Sequence, residues 1–410
     1  MIAIPPRASA TRHAAGRPPM GFVELVAFLA TIMALNALAI DAVLPGLPAL
    51  GHDLGVADDN RRQLVVVVYL AAMGASQLGY GPLADRLGRR PVLLVGLAVY
   101  GVAGLASALA PSFPLLVMAR VLQGLGAGAP RVVAVSIARD RYQGAEMARV
   151  MSLVMMVFMV VPVLAPGLGQ VVLWVATWRW IFGVIAAGGL LVAGWAALRL
   201  TESLAPANRR ALSPRMIGRG LREVVTTRGT VVPMLAMTLN SGALMAYVTS
   251  AQQVYQDTFG VGAAFTLLFA LVAVTMSAAA FGNAYLVRGL GPARLARRAL
   301  HVLIVAASVL TLLAVTDHLS LWMFEALTCT IMMTYGFIGS NLNAIAMEPM
   351  GHLAGLASSV IGSMTVIGAA ILGGVVGHLY DGTARPLVIG TLALGVAARA
   401  VLVWSPARAG

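Results

Sequence analysis

Residues 21–50 read GFVELVAFLATIMALNALAIDAVLPGLPAL. About 24 of them form one apolar-dominated run, long enough to cross a bilayer as a helix. The run is too long and continuous for a barrel strand, which alternates apolar and polar residues over about ten positions. Asp41 lies inside it. A carboxylate at such depth costs about 2.5–3.5 kcal/mol on insertion scales, a cost that is met by a partner or by a task such as carrying a proton or binding a cation. Outward from this stretch, eleven further apolar runs of spanning length occur near 63–84, 91–110, 114–138, 150–173, 180–199, 231–252, 263–287, 299–316, 319–345, 355–378 and 386–404. The expected fold class is an all-α membrane protein with twelve transmembrane helices in two pseudo-symmetric six-helix bundles.

Composition agrees with that reading. The 410 residues are 60% hydrophobic and only 10% charged, where a soluble domain carries about 25%. The net charge of +13 comes from 28 basic residues, all arginine. With the N-terminus inside, Arg61, Arg62, Arg179 and Arg385 fall on the outer side and Arg120, Arg131 and Arg399 within spans. The other 21 lie in or beside cytoplasmic segments. That asymmetry is the positive-inside rule, so the charge reflects topology and not a nucleic-acid partner. Arginine does not deprotonate in proteins, which leaves carboxylates and histidines as proton carriers. Cys329 is the only cysteine, so neither a disulfide framework nor a metal-thiolate site is expected.

One long polar interruption, TESLAPANRRALSPRMIGRGLREVVTTRG at 201–229, holds six arginines against two glutamates. It divides the spans six and six and suggests a repeat. The expected organisation is a cytoplasmic tail at 1–21, a first bundle at 22–200, a cytoplasmic linker at 201–229, a second bundle at 230–405 and a tail at 406–410. Faint internal matches support it. LLVMAR at 115–120 aligns with LWMFE at 321–325, setting Arg120 against Glu325. The loop around Asp85 has a weaker counterpart at Arg288-Gly289-Leu290-Gly291-Pro292, with Val287 in place of the acid.

The most specific motif is Gly81-Pro-Leu-Ala-Asp85-Arg86-Leu-Gly88-Arg89-Arg90 between spans two and three. It resembles the loop signature of the major facilitator superfamily. That resemblance implies a charge latch in which Asp85 and Arg89 meet a neighbouring acid, here Asp140, and hold the two halves together on the cytoplasmic side. Arg120-Val-Leu-Gln123-Gly124 resembles the R-x-x-Q-G motif linked to proton transfer in drug antiporters. Pro162-Val-Leu-Ala-Pro166-Gly167-Leu-Gly169-Gln170 resembles the G-P-x-x-G-G motif of exporters, with Ala165 and Gln170 replacing two glycines. Asp41-Ala-Val-Leu-Pro45-Gly-Leu-Pro48 resembles the D-x-x-L-P-x-L-P signature of Bcr/CflA-type drug:proton antiporters. Trp178-Arg179-Trp180-Ile181-Phe182 and Gly355-Leu-Ala-Ser358-Ser359 match the same subfamily.

Asp41 and Arg120 fall at similar depth, so an ion pair between them is expected, with Glu325 as the other deep acid. Arg131, eleven residues and about 16 Å of helix beyond Arg120, departs from the subfamily, whose members often have a small residue there. Either snorkelling to the headgroups or a cavity role fits it. Tyr69, Gln123, Asn240, Tyr247 and Asn341 are candidates to line a substrate cavity, and for each an interhelical hydrogen bond is the competing reading. Glu24 is expected at the interface, and His301 and His378 near span ends as structural residues. There is no zinc-ligand cluster, nucleotide loop or Ser/His/Asp set to support an enzyme. The expected function is a proton-coupled transporter exporting small amphipathic compounds by alternating access. It would act as a monomer in the bacterial inner membrane with both termini cytoplasmic, need no cofactor or metal, and have as partners its substrate, protons and the bilayer. A proton-coupled importer of an organic anion or peptide is the rival on the same fold.

Overall fold

The computed structural model of the chain describes residues 20–209 and 214–403. Nearly all of the expected N-terminal tail, residues 210–213 of the linker and the C-terminal tail lie outside the described residues. The helices are α1 (Phe22–Asp41), α2 (Leu47–Asp53), α3 (Leu64–Leu87), α4 (Arg89–Ala108), α5 (Phe113–Arg141), α6 (Gly144–Val175), α7 (Trp178–Arg199), α8 (Pro214–Thr226), α9 (Arg228–Gln253), α10 (Phe265–Leu290), α11 (Pro292–Val315), α12 (Leu321–Met347), α13 (Ala354–His378) and α14 (Arg385–Val403). All but α2 and α8 are long and apolar enough to span a membrane, with mean hydropathy between 1.4 and 2.3 over their most apolar windows. A 3-10 turn, Glu348–Leu353, joins α12 to α13.

The packing repeats. In the first half α3 and α4 both pack on α5, α4 packs on α7, and α1 packs on α6. In the second half α10 and α11 both pack on α12, α11 on α14, and α9 on α13. The halves meet where α3 lies along α13 and where α6 lies along α10, so the contacts obey the same exchange of partners. Backbone turns repeat as well. Gly88 enters α4 with φ +105° and Gly291 enters α11 with φ +74°, a region that costs an L-residue but not glycine.

Two ends of the molecule can be told apart. The linker end carries the starts of α1 and α9 and the loop between α3 and α4. The far end carries Asp41, the start of α3 and the end of α9. At the far end the halves are joined by side-chain amides. Gln63 Nε2 donates to Gln253 Oε1 and to the Gly377 carbonyl at 3.2 Å. Gln253 Nε2 donates to Asn60 Oδ1 at 2.9 Å. Asn60 Nδ2 donates to the carbonyls of Tyr380 at 2.8 Å and His378 at 3.1 Å. The one other hydrogen bond described between the halves, Ser363 Oγ to the Gly74 carbonyl at 2.5 Å, lies midway along α3 and α13.

Candidate functional site

α1 ends at Asp41, and a 3-10 turn, Leu44–Gly46, follows; Pro45 has no N–H to donate to the carbonyl four residues back, that of Asp41, and its ring crowds that carbonyl. Asp41 is 7% exposed. Its carboxylate has no hydrogen bond or ion pair among the described residues. Arg120 on α5 is fully buried at the same end. The expected Asp41–Arg120 pair is not formed. Arg120 instead donates from Nη2 to the Ala39 carbonyl at 2.8 Å, from Nε to the Val65 carbonyl at 2.9 Å and from Nη1 to Gln123 Oε1 at 2.7 Å. Its guanidinium lies 4.3 Å from the centroid of the Tyr69 ring. The physical reason is local. Ala39 is in the last turn of α1, where carbonyls lack intrahelical donors, and a planar fork of donors reaches it together with the Val65 carbonyl of α3. Arg120 therefore clamps α1 to α3 and α5 and leaves Asp41 alone.

Glu325, the repeat counterpart of Arg120, also reaches the end of the first helix of its own half. It is 3% exposed and accepts a hydrogen bond from Tyr255, with the Cys329 thiol 3.7 Å away. Tyr255 lies in a π-helical turn, Val254–Thr258, that ends α9. Such turns occur often at functional sites. Tyr247, stacked on Phe269 with ring centroids 5.6 Å apart, is within electrostatic reach of both Glu325 and Asp41. Tyr247, in the second half, thus lies near the acid of each half.

The span-five motif meets Asp41 directly. α6 runs unbroken through Pro162 and Pro166. A Cβ on Gly169 would lie 2.0 Å from the Ala42 carbonyl oxygen and 3.0 Å from Pro45 Cγ. Only glycine lets α6 press on the turn that follows Asp41. Gly167 sits near Thr266 of α10, across the joint. At the same end Asp53 closes α2 by accepting from Arg179 Nη2 and Trp178 Nε1, each at 3.0 Å.

At the linker end Arg89 donates to Asp85 at 2.5 Å and to Asp140 at 2.9 Å. Sequence reasoning missed Glu202, just past α7. Its carboxylate accepts from the backbone nitrogens of Arg89 at 2.9 Å and Arg90 at 3.2 Å, capping α4 from another segment where an acid suits the helix dipole. Gly88 is required there, since its Cβ would lie 2.4 Å from Glu202 Oε2. Arg90 donates to the Ala197 carbonyl at 2.9 Å, while Arg86 is exposed. Gly81 approaches Ser359 of α13. Among the described residues, every partner of Asp85, Arg89 and Asp140 belongs to the first half or to the linker's first residues. The latch implied between the halves is, in this structure, a clasp within one of them. Glu24, expected at the interface, pairs with Arg199 at 2.7 Å.

Most of the cavity candidates are packed inside the halves. Tyr69 is fully buried and donates to Asn36 Oδ1 at 3.0 Å. Gln123 serves Arg120. Asn341 donates to Asn283 Oδ1 at 2.6 Å and the Phe337 carbonyl at 2.7 Å. Asn240 and Tyr247 are also buried, and neither amide atom of Asn240 has a hydrogen bond. Without water in the bilayer core, polar side chains find partners between helices, as Tyr69 and Asn341 do. Arg131 differs. It is exposed and lies within electrostatic reach of Tyr335 on α12, in the other half.

Comparison with known proteins follows from this geometry. A family profile described as Major Facilitator Superfamily matches residues 29–373. An uncharacterized MFS-type transporter, YdgK of Bacillus subtilis, is 31% identical over 395 residues, covering 92% of this chain and 95% of that one. A bicyclomycin resistance protein homolog of Haemophilus influenzae is 30% identical, over 88% of this chain and 91% of its own. The multidrug resistance protein MdtL of Klebsiella pneumoniae is 30% identical, over 81% and 83%. A crystal structure of a D-xylose–proton symporter superposes with a TM-score of 0.72 at 14% identity, covering 94% of this chain and 98% of that one; it shares the fold. The repeated packing, the motifs and these matches agree, and the chain belongs to the Major Facilitator Superfamily.

Proposed function

We propose that the protein exports small amphipathic compounds in exchange for protons, by alternating access of its two bundles. The relatives named for bicyclomycin and multidrug resistance support export of drug-like molecules. The observation that carries the proton coupling is Asp41. It is a buried carboxyl with no partner, placed where α6 presses on the turn behind it. A buried unpaired carboxylate is costly, and proton binding neutralises it. Glu325, hydrogen-bonded to Tyr255, is a second proton site in the other half. The gradient supplies about 2.3 kcal/mol per charge per 100 mV from the potential alone, and no cofactor is needed.

The arginine distribution supports an inner-membrane orientation with both termini cytoplasmic. The far end, closed by Asn60, Gln63 and Gln253, is then the outer one. The working unit is the monomer. The test uses proteoliposomes with an imposed pH gradient, a labelled drug-like compound and an internal pH dye. Wild-type protein is expected to move drug against proton flow, and Asp41→Asn to stop coupled movement. Full proton-coupled export by Asp41→Asn would rule out the scheme. Movement of substrate with protons would favour the importer.

A further inference from the structure

We propose that Arg131, with the Tyr335 and Ser241 hydroxyls opposite it, forms the site that recognises a negatively charged group on the transported compound. This rests on the transport reading above and names a substrate class for it: small amphipathic anions, such as carboxylates, sulfonates or phosphate monoesters.

The repeat fixes the geometry. Arg120 and Glu325 are equivalent positions, so Arg131 on α5 corresponds to Gly336 on α12. Tyr335, its neighbour, therefore lies at the same depth in the opposite half. Tyr335 is within electrostatic reach of Arg131, and its hydroxyl is 3.3 Å from Ser241 Oγ of α9. Gly124 and Gly128 of α5 lie against Tyr69 and Ser76 of α3. Arg131 continues that edge one turn on, toward the joint between the halves. One exposed cation from the first half and two hydroxyls from the second, Tyr335 partly exposed, thus lie at one depth across the joint.

Charge completes the argument. Arg131 has no hydrogen bond or ion pair among the described residues. An arginine inside a membrane domain is retained for a partner or a function. A guanidinium fork matches carboxylate, sulfonate and phosphate oxygens, and the charge assistance strengthens each bond. Arg120 does not offer such a site: it is fully buried, and each of its three nitrogens already donates, to Val65, Gln123 and Ala39. An anion bridging Arg131 to Tyr335 would also draw the two halves together at that depth.

The experiment compares three naphthalene probes of similar size on purified protein in nanodiscs. They are 2-naphthalenesulfonate, always anionic; 2-naphthamide, neutral; and 2-naphthyl-trimethylammonium, always cationic. The sulfonate is expected to bind about tenfold or more tightly than the amide, and the ammonium most weakly. Arg131→Gln is expected to bind sulfonate and amide alike, with Arg131→Lys keeping part of the preference. Tyr335→Phe, a milder change, is expected to lower sulfonate affinity several-fold while the fold is retained. Equal binding of sulfonate and amide by the wild type, or a preference that survives in Arg131→Gln, overturns the proposal. Proteoliposome flux separates it from the export reading. Sulfonate preference with inward, proton-accompanied flux refutes export and keeps the anion site. Export of the amide without sulfonate preference refutes the anion site and keeps export.

Discussion

The geometry around Arg120 predicts that Asp41 and Arg120 act independently in stability, although they sit at the same end of the first half. The perturbation is a double-mutant cycle of Asp41→Asn and Arg120→Lys. Arg120 holds three acceptors, the carbonyls of Ala39 and Val65 and Gln123 Oε1, at 2.7–2.9 Å. A lysine ammonium at the end of a narrower stem can keep one of them. Hydrogen bonds from a charged donor contribute about 1.5–3 kcal/mol each, so losing two costs about 3–6 kcal/mol. The stacking on Tyr69 weakens as well. At about 2–4 °C per kcal/mol for a unit of this size, Arg120→Lys should lower Tm by at least about 6 °C. Asp41→Asn keeps the volume and orphans no partner, because Asp41 has none. It should leave Tm unchanged or raise it. The assay is thermal unfolding of the detergent-purified proteins by tryptophan fluorescence. The coupling energy is expected below about 0.5 kcal/mol, the range for independent sites. A coupling of about 1.5 kcal/mol or more, or an Asp41→Asn loss equal to that of Arg120→Lys, would refute the unpaired Asp41 and restore the ion pair.

Three further outcomes are expected. Gly169→Ala places a Cβ 2.0 Å from the Ala42 carbonyl; overpacking of about 1–3 kcal/mol should displace α6 from the turn behind Asp41, and coupled transport should fall while the protein stays monodisperse on size exclusion. Gly88→Ala combines φ +105° with a 2.4 Å clash on Glu202 and should cost well over 1 kcal/mol; Glu202→Gln, which keeps the capping shape but loses charge at the α4 N-terminus, should cost about 0.3–1 kcal/mol, both read by Tm. Gln253→Ala removes the bonds to Gln63 and Asn60 and should widen the far end, seen as longer distances between spin labels on α3 and α9.

The twelve spans were legible because length and unbroken apolarity are physical requirements of a bilayer, and each observed helix matches its run to within a few residues apart from longer ends on α6 and α11. The first run extends to residue 45, whereas α1 ends at Asp41; the missing N–H of Pro45 could have marked that end and was not used. What each polar group binds was far less legible. Backbone carbonyls have no signature in a sequence, so nothing marked Ala39 and Val65 as the acceptors of Arg120. The partners of Gln63 and Asn60 are 190 residues or more distant, a separation at which local pattern says nothing. Glu202 could have been noticed as an acid set against the basic linker, and Tyr255 as a polar aromatic at a span end. Arg131 was visible as an odd cation, yet its nearness to Tyr335 depended on how the second half packs.

The amide closure at the far end is electrically silent. Asn60, Gln63 and Gln253 carry no net charge, and their partners are one another and backbone carbonyls. Salt cannot screen such a contact and protons cannot titrate it. Each bond exchanges for one to water at a net of about 0.5–1.5 kcal/mol, so the barrier to separation is modest and nearly the same at any ionic strength or acidity. A seal of this kind opens by thermal fluctuation and does not itself sense the gradient. On the proposed proton-exchange scheme, response to protons then falls to the carboxyls beneath it, and external pH sets their occupancy without changing how tightly the far end closes.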